Sequence, residues 1–194
     1  WLTRFHWQPA YPRAAESVFI LMSEQLLGLL FHELGIHPDY GTQPLLPTYV
    51  EAAALESIGL NIMGREQQLT PMSAAAWRAM SARAAEESVQ LLPVSGFRSI
   101  EYQAQLIRNK LRAGQSIADI VQVNVAPGYS QHHTGNAIDI ATLGSKPLLE
   151  EFELTDAFAW LTTHAGEFGF GLSYPRDNAE GLNYEPWHWY RSEA

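Results

Sequence analysis

The spacing of apolar positions predicts a chain of amphipathic helices separated by short strands. Apolar residues recur at helical spacing in four segments, residues 14–34, 70–88, 99–113 and 155–168. Gly35 is expected to end the first helix. Thr70 followed by Pro71 has the composition of a helix start, with a capping hydroxyl before a proline in the first turn.

Three short apolar segments between and after these helices predict strands: "VQLLPVSGF" (89–97), "AIDIA" (137–141) and "YEPWHWY" (184–190). In "AIDIA" the alternation places Asp139 on the face opposite Ile138 and Ile140. Helices before, between and after a few strands indicate an α+β fold with a small, largely antiparallel sheet flanked by helices. Residues 35–68, rich in proline and glycine, are predicted to be loops around the core.

The length and composition fit one globular domain. The 194 residues are expected to form a single domain, with a helical and loop-rich part over 1–64 and a core over 65–194. A net charge of −9 and a pI near 5.2 argue against a nucleic-acid-binding surface. The absence of cysteine excludes disulfides, thiolate nucleophiles and cysteine-based zinc sites, and it is compatible with either cytoplasm or periplasm.

No transmembrane segment is expected. The most apolar stretch, residues 18–31, is interrupted by Glu24 and Gln25 and is too short to span a bilayer. It also lacks the basic start and cleavage site of a secretory signal, so any such segment is expected to have been removed or to lie outside this chain.

One set of histidines and acids has the composition of a metal site. His132, Asp139 and His188 offer two imidazoles and one carboxylate, a set that suits a catalytic zinc with a fourth position left to water. Asp139 lies in an apolar strand, where an unpaired carboxylate is costly and a bound cation would offset that cost. The alternative is a buried aspartate that accepts backbone hydrogen bonds.

The remaining histidines are weaker candidates. "FHELGIH" resembles a zincin helix, but His32 and His37 are five residues apart, whereas that motif needs four, and Gly35 interrupts the helix. His6 and His164 have no acidic or histidine partner at a metal-binding spacing, and they are predicted to be ordinary surface or core residues.

Two more side chains are candidates for catalysis. Glu185 stands three residues before His188, where a carboxylate beside a metal-activated water would serve as general base; the alternative is a solvated loop residue. Arg98 follows a bend at Gly96, where a guanidinium can bind a carboxylate or polarise a carbonyl. The alternative for Arg98 is a surface pair with Glu101.

Taken together, these segments resemble the zinc D-alanyl-D-alanine carboxypeptidases of the VanY type (peptidase family M15), which share a fold with the VanX dipeptidases and the hedgehog signalling domain. "SQHHTGNAID" matches the family pattern Ser-x-His-x-x-Gly-x-Ala-x-Asp. "EPWH" matches Glu-Pro-Trp-His, and "SGFRSIEYQ" matches Ser-Gly-aromatic-Arg-Ser…Gln. The likeness covers about residues 65–194, and the first 60 or so residues carry no assignable motif.

The resemblance implies a hedgehog/VanX-like fold and a role for each matching residue. It implies that His132, Asp139 and His188 are the Zn²⁺ ligands and that His133 has a structural role or lies at the cleft rim. It implies that Glu185 is the general base and that Arg98, together with the metal, stabilises the developing oxyanion. Its implied substrate contacts are Gln103 and Ser130 for the peptide backbone, with Trp187 and Tyr174 as pocket walls.

The implied activity is removal of the terminal D-alanine from peptidoglycan stem peptides, by D,D-cleavage of a pentapeptide or L,D-cleavage of a tetrapeptide. One alternative is an endopeptidase that cuts within stem peptides. Another is a non-catalytic zinc- or peptide-binding module, against which the retained Glu185 argues. The implied partner is the stem peptide, in the periplasm or another extracytoplasmic space, with the cytoplasm left open. The sequence does not fix the oligomeric state, and a monomer is favoured.

Overall fold

The computed structural model describes residues 25–192. Its helices are α1 (residues 25–34), α2 (Pro71–Glu86), α3 (Ile100–Arg112), α4 (Ile117–Val123) and α5 (Asp156–His164). Its strands are β1 (Glu56–Leu60), β2 (Glu66–Leu69), β3 (Leu92–Ser95), β4 (Ala137–Ala141), β5 (Phe170–Leu172) and β6 (His188–Arg191). Three 3₁₀ turns lie at Gln131–Thr134, Glu150–Leu154 and Ala165–Phe168. Residues 14–24 of the first predicted helix, and His6, lie outside the described residues.

A four-stranded antiparallel sheet lies at the centre of the fold, in the order β3-β4-β6-β5. Strand β4 is central, and Asp139 is opposite Ser95 of β3 on one side and His188 of β6 on the other. The prediction of a small antiparallel sheet is therefore confirmed. Strands β1 and β2 form a separate antiparallel hairpin.

The helix starts follow from local capping. The Thr70 hydroxyl accepts a hydrogen bond from the backbone N–H of Ser73 (3.4 Å), and the Ser99 hydroxyl accepts one from the N–H of Tyr102 (3.0 Å). The start of α3 receives a second acceptor, since Glu51 Oε1 accepts from the N–H of Ile100 (2.6 Å). The start of α2 at Thr70 and Pro71 is as the sequence predicted, whereas the bonds of Ser99 and Glu51 at the start of α3 are seen only in the structure.

The main core lies on one face of the sheet, between β4 and helices α2 and α5. Ile138 and Ile140 are fully buried in it, with Trp77, Met80 and Leu161 from the two helices. A second cluster packs α1 against α3 and α4, through residues that include Leu30, Leu34, Ile107 and Ile120. The side of β4 that carries Asp139 is left for the functional site.

Residues 47–52 run across the loop that precedes β4. The N–H of Tyr49 donates to the carbonyl of Gly128 (2.7 Å), and the N–H of Ala52 donates to the carbonyl of His133 (2.8 Å). Together with the bond from Ile100 to Glu51, these contacts join the N-terminal part of the chain to the functional loop.

The structure corrects several boundaries. The loop prediction for 35–68 is wrong at β1 and β2, because two glycines taken as loop signals lie within a hairpin: Gly59 is in β1, and Gly64 is in the turn that begins at Asn61. Helix α4 was not predicted, and the last predicted helix turns into a 3₁₀ turn after His164. Strand β6 begins only at His188. Within residues 25–192, no helix has the length and apolar character needed to cross a membrane.

Candidate active site

Three buried side chains converge beside strand β4. Asp139 projects from the strand, His188 is its direct neighbour on β6, and His132 lies in the 3₁₀ turn that leads into β4. One ligand atom from each of the three lies within 4.8 Å of the others. The structure thus brings together the three residues that the sequence singled out as a metal set.

The atoms of this cluster fit a metal ion. Asp139 Oδ1 lies 2.9 Å from His188 Nδ1, and Asp139 Oδ2 lies 3.2 Å from His132 Nε2. Within residues 25–192, His132 Nε2 is buried and has no hydrogen-bond partner. A buried ring nitrogen without a partner is costly, and two nitrogens with one carboxylate form a three-ligand set that suits zinc.

Both imidazoles are oriented by hydrogen bonds on their far sides. His132 Nδ1–H donates to the carbonyl of Gly96 (2.7 Å), which directs the Nε2 lone pair towards the cluster. His188 Nε2–H donates to Gln131 Oε1 (2.9 Å), which leaves Nδ1 as the free nitrogen. The Ser173 hydroxyl donates to the same Gln131 oxygen (2.7 Å), so this oxygen accepts from both His188 and Ser173.

The protonation states also suit a metal. Burial lowers the pKa of His132 to about 4, so its imidazole is neutral at neutral pH. Burial alone would raise the pKa of Asp139, but the contacts with His132 and His188 outweigh it and hold that pKa well below its usual range. Metal binding requires a neutral imidazole and an ionised carboxylate, and the site provides both.

His133 points away from this cluster. Its Nδ1–H donates to the carbonyl of Arg98 (2.6 Å), and its Nε2 accepts from the N–H of Gly128 (3.1 Å). The side chain is fully buried, and burial lowers its pKa. Two roles were predicted for His133, a structural role or a position at the cleft rim. The structure supports the structural role.

Two glycines allow this loop arrangement. A Cβ on Gly96 would lie 2.5 Å from the carbonyl oxygen of Gln68, so only glycine lets the turn after β3 approach β2 this closely. Gly135, at the end of the 3₁₀ turn, has a left-handed backbone (φ 66°), and it reverses the chain between His132 and β4.

Arg98 belongs to the site and not to the surface. Its Nη2 lies 3.3 Å from Asp139 Oδ2, and its Nη1 donates to Gln103 Oε1 (3.2 Å). Glu101, the alternative partner, pairs instead with Arg108 (2.7 Å). The side-chain amide of Gln103 is fully buried, and both of its polar atoms are hydrogen-bonded: Oε1 accepts from Arg98, and Nε2 donates to the carbonyl of Val125 (2.7 Å).

Glu185 lies at the edge of the cluster, with Oε2 3.8 Å from His188 Nδ1. Burial raises the pKa of Glu185 to about 7; the Asp139 charge adds to the rise, whereas His188 and Arg98 oppose it. This environment contradicts the alternative of a solvated loop glutamate.

Tyr174 contacts both His188 and Glu185. Its ring packs on the ring of His188 with centroids 4.8 Å apart, and its backbone carbonyl accepts a hydrogen bond from the N–H of Glu185 (3.1 Å).

The proposed metal ligands, Glu185 and Arg98 open onto one cleft of about 720 Å³. Every site residue predicted from the sequence lines it: Arg98, Gln103, Ser130, His132, Asp139, Tyr174, Glu185, Trp187 and His188. Sequence reasoning missed Gln131, Lys110 and Asn124. Gln131 adjoins His132 in the motif, but nothing in the sequence links it to His188.

Comparison with known proteins bears on the same region of the chain. The family model for VanY, a D-alanyl-D-alanine carboxypeptidase, matches residues 66–192. The chain belongs to this family. Its family match includes α2 to α5, the central sheet and every residue of the candidate site.

Individual relatives agree with this assignment. YodJ of Bacillus subtilis (strain 168), a carboxypeptidase by its name, is 29% identical over 175 residues, which are 85% of this chain and 59% of YodJ. A D-alanyl-D-alanine carboxypeptidase of Enterococcus faecium is 40% identical over 63 residues, 31% of this chain and 19% of that protein. The chain therefore spans well under two thirds of the length of these relatives.

Solved structures share the fold. The LdcB LD-carboxypeptidase, whose structure concerns peptidoglycan recognition, aligns with a TM-score of 0.64 at 28% identity, over 75% of this chain and 71% of LdcB. The D,D-pentapeptidase VanY bound to Zn(II) aligns with a TM-score of 0.55 at 24% identity, over 75% of this chain and 82% of VanY. The D,D-dipeptidase VanXYg aligns with a TM-score of 0.59 at 24% identity, over 72% of this chain and 56% of VanXYg. The expected VanX-like fold is confirmed.

Proposed function

We propose that this protein is a zinc-dependent carboxypeptidase that removes the terminal D-alanine from peptidoglycan stem peptides. The observation that carries the proposal is the unpartnered, buried Nε2 of His132, which faces Asp139 and His188 in a cleft that Glu185 also lines. Membership in the VanY family and the 28% identity with the LdcB LD-carboxypeptidase support the substrate class.

Three residues would hold the zinc: His132 through Nε2, His188 through Nδ1 and Asp139 through its carboxylate. When bound, zinc supplies Lewis-acid chemistry, because it polarises a carbonyl oxygen and lowers the pKa of water. The cleft provides the open side that substrate needs to reach this centre.

Glu185 would move the proton. Its carboxylate takes a proton from the attacking water and later delivers it to the nitrogen of the leaving D-alanine. A pKa of about 7 suits both steps, since the group can then accept and release a proton near neutral pH. Such assistance typically contributes about 10²–10⁴-fold to the rate.

Arg98 would stabilise the negative charge that develops on the carbonyl oxygen. Its guanidinium is held by Gln103 and Asp139, so it is oriented before the reaction. The fully engaged amide of Gln103 supports a role in positioning Arg98 in addition to the predicted backbone contact. Ser130, which also lines the cleft, is proposed to contact the peptide backbone, with Tyr174 and Trp187 as walls of the substrate cleft.

The proposed substrate lies outside the cytoplasmic membrane, so we place the protein in the periplasm or another extracytoplasmic space. One chain supplies every proposed site residue, and we therefore expect an active monomer. Both L,D-cleavage of a tetrapeptide and D,D-cleavage of a pentapeptide fit the family, which includes members of each kind.

Mass spectrometry of products from purified tetrapeptide and pentapeptide muropeptides tests the proposal. Zinc-loaded protein should release free D-alanine from one or both. Release of longer fragments would indicate an endopeptidase, and no cleavage by the zinc-loaded protein would favour a binding module.

A further inference from the structure

Lys110 is a half-buried cation in the wall of the active-site cleft. Its Nζ contacts Asn124 Oδ1, a neutral group. Among residues 25–192, no carboxylate pairs with Lys110, whereas Arg108 on the same helix is held by Glu33 (2.6 Å) and Glu101 (2.7 Å). The acids that surround α3 therefore leave this ammonium without a counter-ion.

Lys110 lines the same cleft as the reaction centre. It stands seven positions after Gln103 in α3, which is about 10 Å along the helix axis and on the same face of the helix. Its partner Asn124 directly precedes Val125, whose carbonyl is bound to Gln103 (2.7 Å).

The charge distribution indicates what would bind there. Burial lowers the pKa of Lys110, and the charge of Arg98 lowers it further, so two cations act on one region of a chain whose net charge is −9. Arg98 is already paired with Asp139. Arg65 also lines the cleft, but it is exposed. Among residues 25–192, Lys110 is therefore the half-buried cation of this cleft without a carboxylate partner, and an incoming anion would offset the cost of its burial.

We propose that Lys110, with Asn124, forms a carboxylate-binding subsite for the peptide substrate. The inference rests on the proposed peptidase function and adds to it a residue that recognises a carboxylate of the substrate. Stem peptides offer this chemistry in two places, the C-terminal carboxylate and the side-chain or α-carboxylate of an acidic residue upstream. A subsite for the first would explain how the enzyme recognises a chain end.

Steady-state kinetics of Lys110→Met and Lys110→Arg on zinc-loaded protein test the subsite. The control is Lys146→Met, because Lys146 is the other lysine of the chain, is exposed and does not line the cleft. We expect Lys110→Met to raise KM about 10-fold with kcat nearly unchanged, as loss of one charge-assisted hydrogen bond predicts. Lys110→Arg should restore most of the binding, and Lys146→Met should match the wild type.

Three peptides identify the carboxylate: the free acid, its C-terminal amide, and a peptide whose upstream acid is replaced by an amide. If Lys110 binds the C-terminus, wild type and Lys110→Met will be equal on the C-terminal amide. If it binds the upstream acid, they will be equal on the third peptide. An unchanged KM of Lys110→Met on all three overturns the proposal.

If the zinc-loaded wild-type protein releases no D-alanine, the proposed peptidase function is refuted but the proposed subsite is not. In that case calorimetric titration of the zinc-loaded protein with the same three peptides still decides. Weaker binding of the free acid by Lys110→Met supports the subsite, and equal binding by wild type and variant rejects it. Thermal melting of each variant shows whether the fold is retained.

Discussion

His188 Nε2 lies 2.9 Å from Gln131 Oε1, although 57 residues separate the two in sequence. Ser173 donates to the same oxygen at 2.7 Å. The bond fixes the tautomer of His188, so that the nitrogen facing Asp139 is the one without a proton. Gln131 is therefore a positioning residue for the proposed metal ligand.

Replacement of Gln131 by methionine should weaken zinc binding about 10–100-fold, the usual cost of losing a partner that orients a metal ligand. Gln131→Glu keeps an acceptor oxygen and should retain affinity. Competition with a chromophoric chelator measures the dissociation constants. The control is Gln115→Met at an exposed position, and equal zinc affinity of Gln131→Met and this control would contradict the assignment.

The two adjacent histidines should give opposite results. His132→Ala should abolish stoichiometric zinc, because the unpartnered nitrogen is lost. His133→Ala should keep nearly one zinc per chain yet lower the free energy of unfolding by about 2 kcal/mol, since the carbonyl of Arg98 and the N–H of Gly128 lose their buried partner. Metal analysis and urea denaturation measure both, and zinc loss in His133→Ala alone would reverse the assignment.

Glu185→Ala should retain zinc and melt near the wild-type temperature, but turnover should fall about 10²–10⁴-fold, because the proton acceptor is removed. Single-turnover assays of D-alanine release measure the loss. Glu86→Gln, an exposed change on α2, is the control and should keep full activity. A fully active Glu185→Ala would remove the general base from the mechanism.

Arg98→Lys should lower kcat about 10²-fold with KM changed only a few-fold. Lysine keeps the charge but loses the planar fork that contacts Gln103 and Asp139 together, and an oxyanion donor acts chiefly in the transition state. Arg112→Lys, exposed on α3, is the control. A rise in KM at constant kcat would instead assign Arg98 to ground-state binding.

Gly96→Ala should destabilise the fold by about 1–3 kcal/mol and weaken zinc binding, because a new Cβ meets the Gln68 carbonyl and displaces the oxygen that orients His132. The control is Gly166→Ala, where a Cβ meets no atom within 4 Å. Urea denaturation with and without zinc separates the two effects. Equal behaviour of both variants would show that the turn tolerates a side chain.

The parts of the fold that depend on neighbouring residues could be predicted from the sequence. The starts of α2 and α3 follow from Thr70 and Ser99, each of which caps the N–H three residues on. The β1–β2 hairpin escaped prediction because its glycines have the composition of a loop, and its pairing depends on residues about ten positions apart.

The candidate site divides in the same way. Its ligand set, including His132 in preference to His133, follows from the family motif. The structure adds the physical reason, since a 3₁₀ turn directs successive side chains about 120° apart. The contacts of Gln131 with His188 and of Lys110 with Asn124 form only when distant segments pack. Sequence therefore predicted the groups that we propose to react, and the structure adds the groups that hold them in place.

The bonds from residues 47–52 set a limit on how far this protein can be trimmed. The family match begins at residue 66, yet Tyr49 and Ala52 supply donors to the loop that carries His132, and Glu51 supplies an acceptor to the start of α3. A fragment cut at the family boundary would retain every proposed catalytic group and lose three restraints on their placement. For truncation, fusion or directed evolution, the working unit begins before Tyr49.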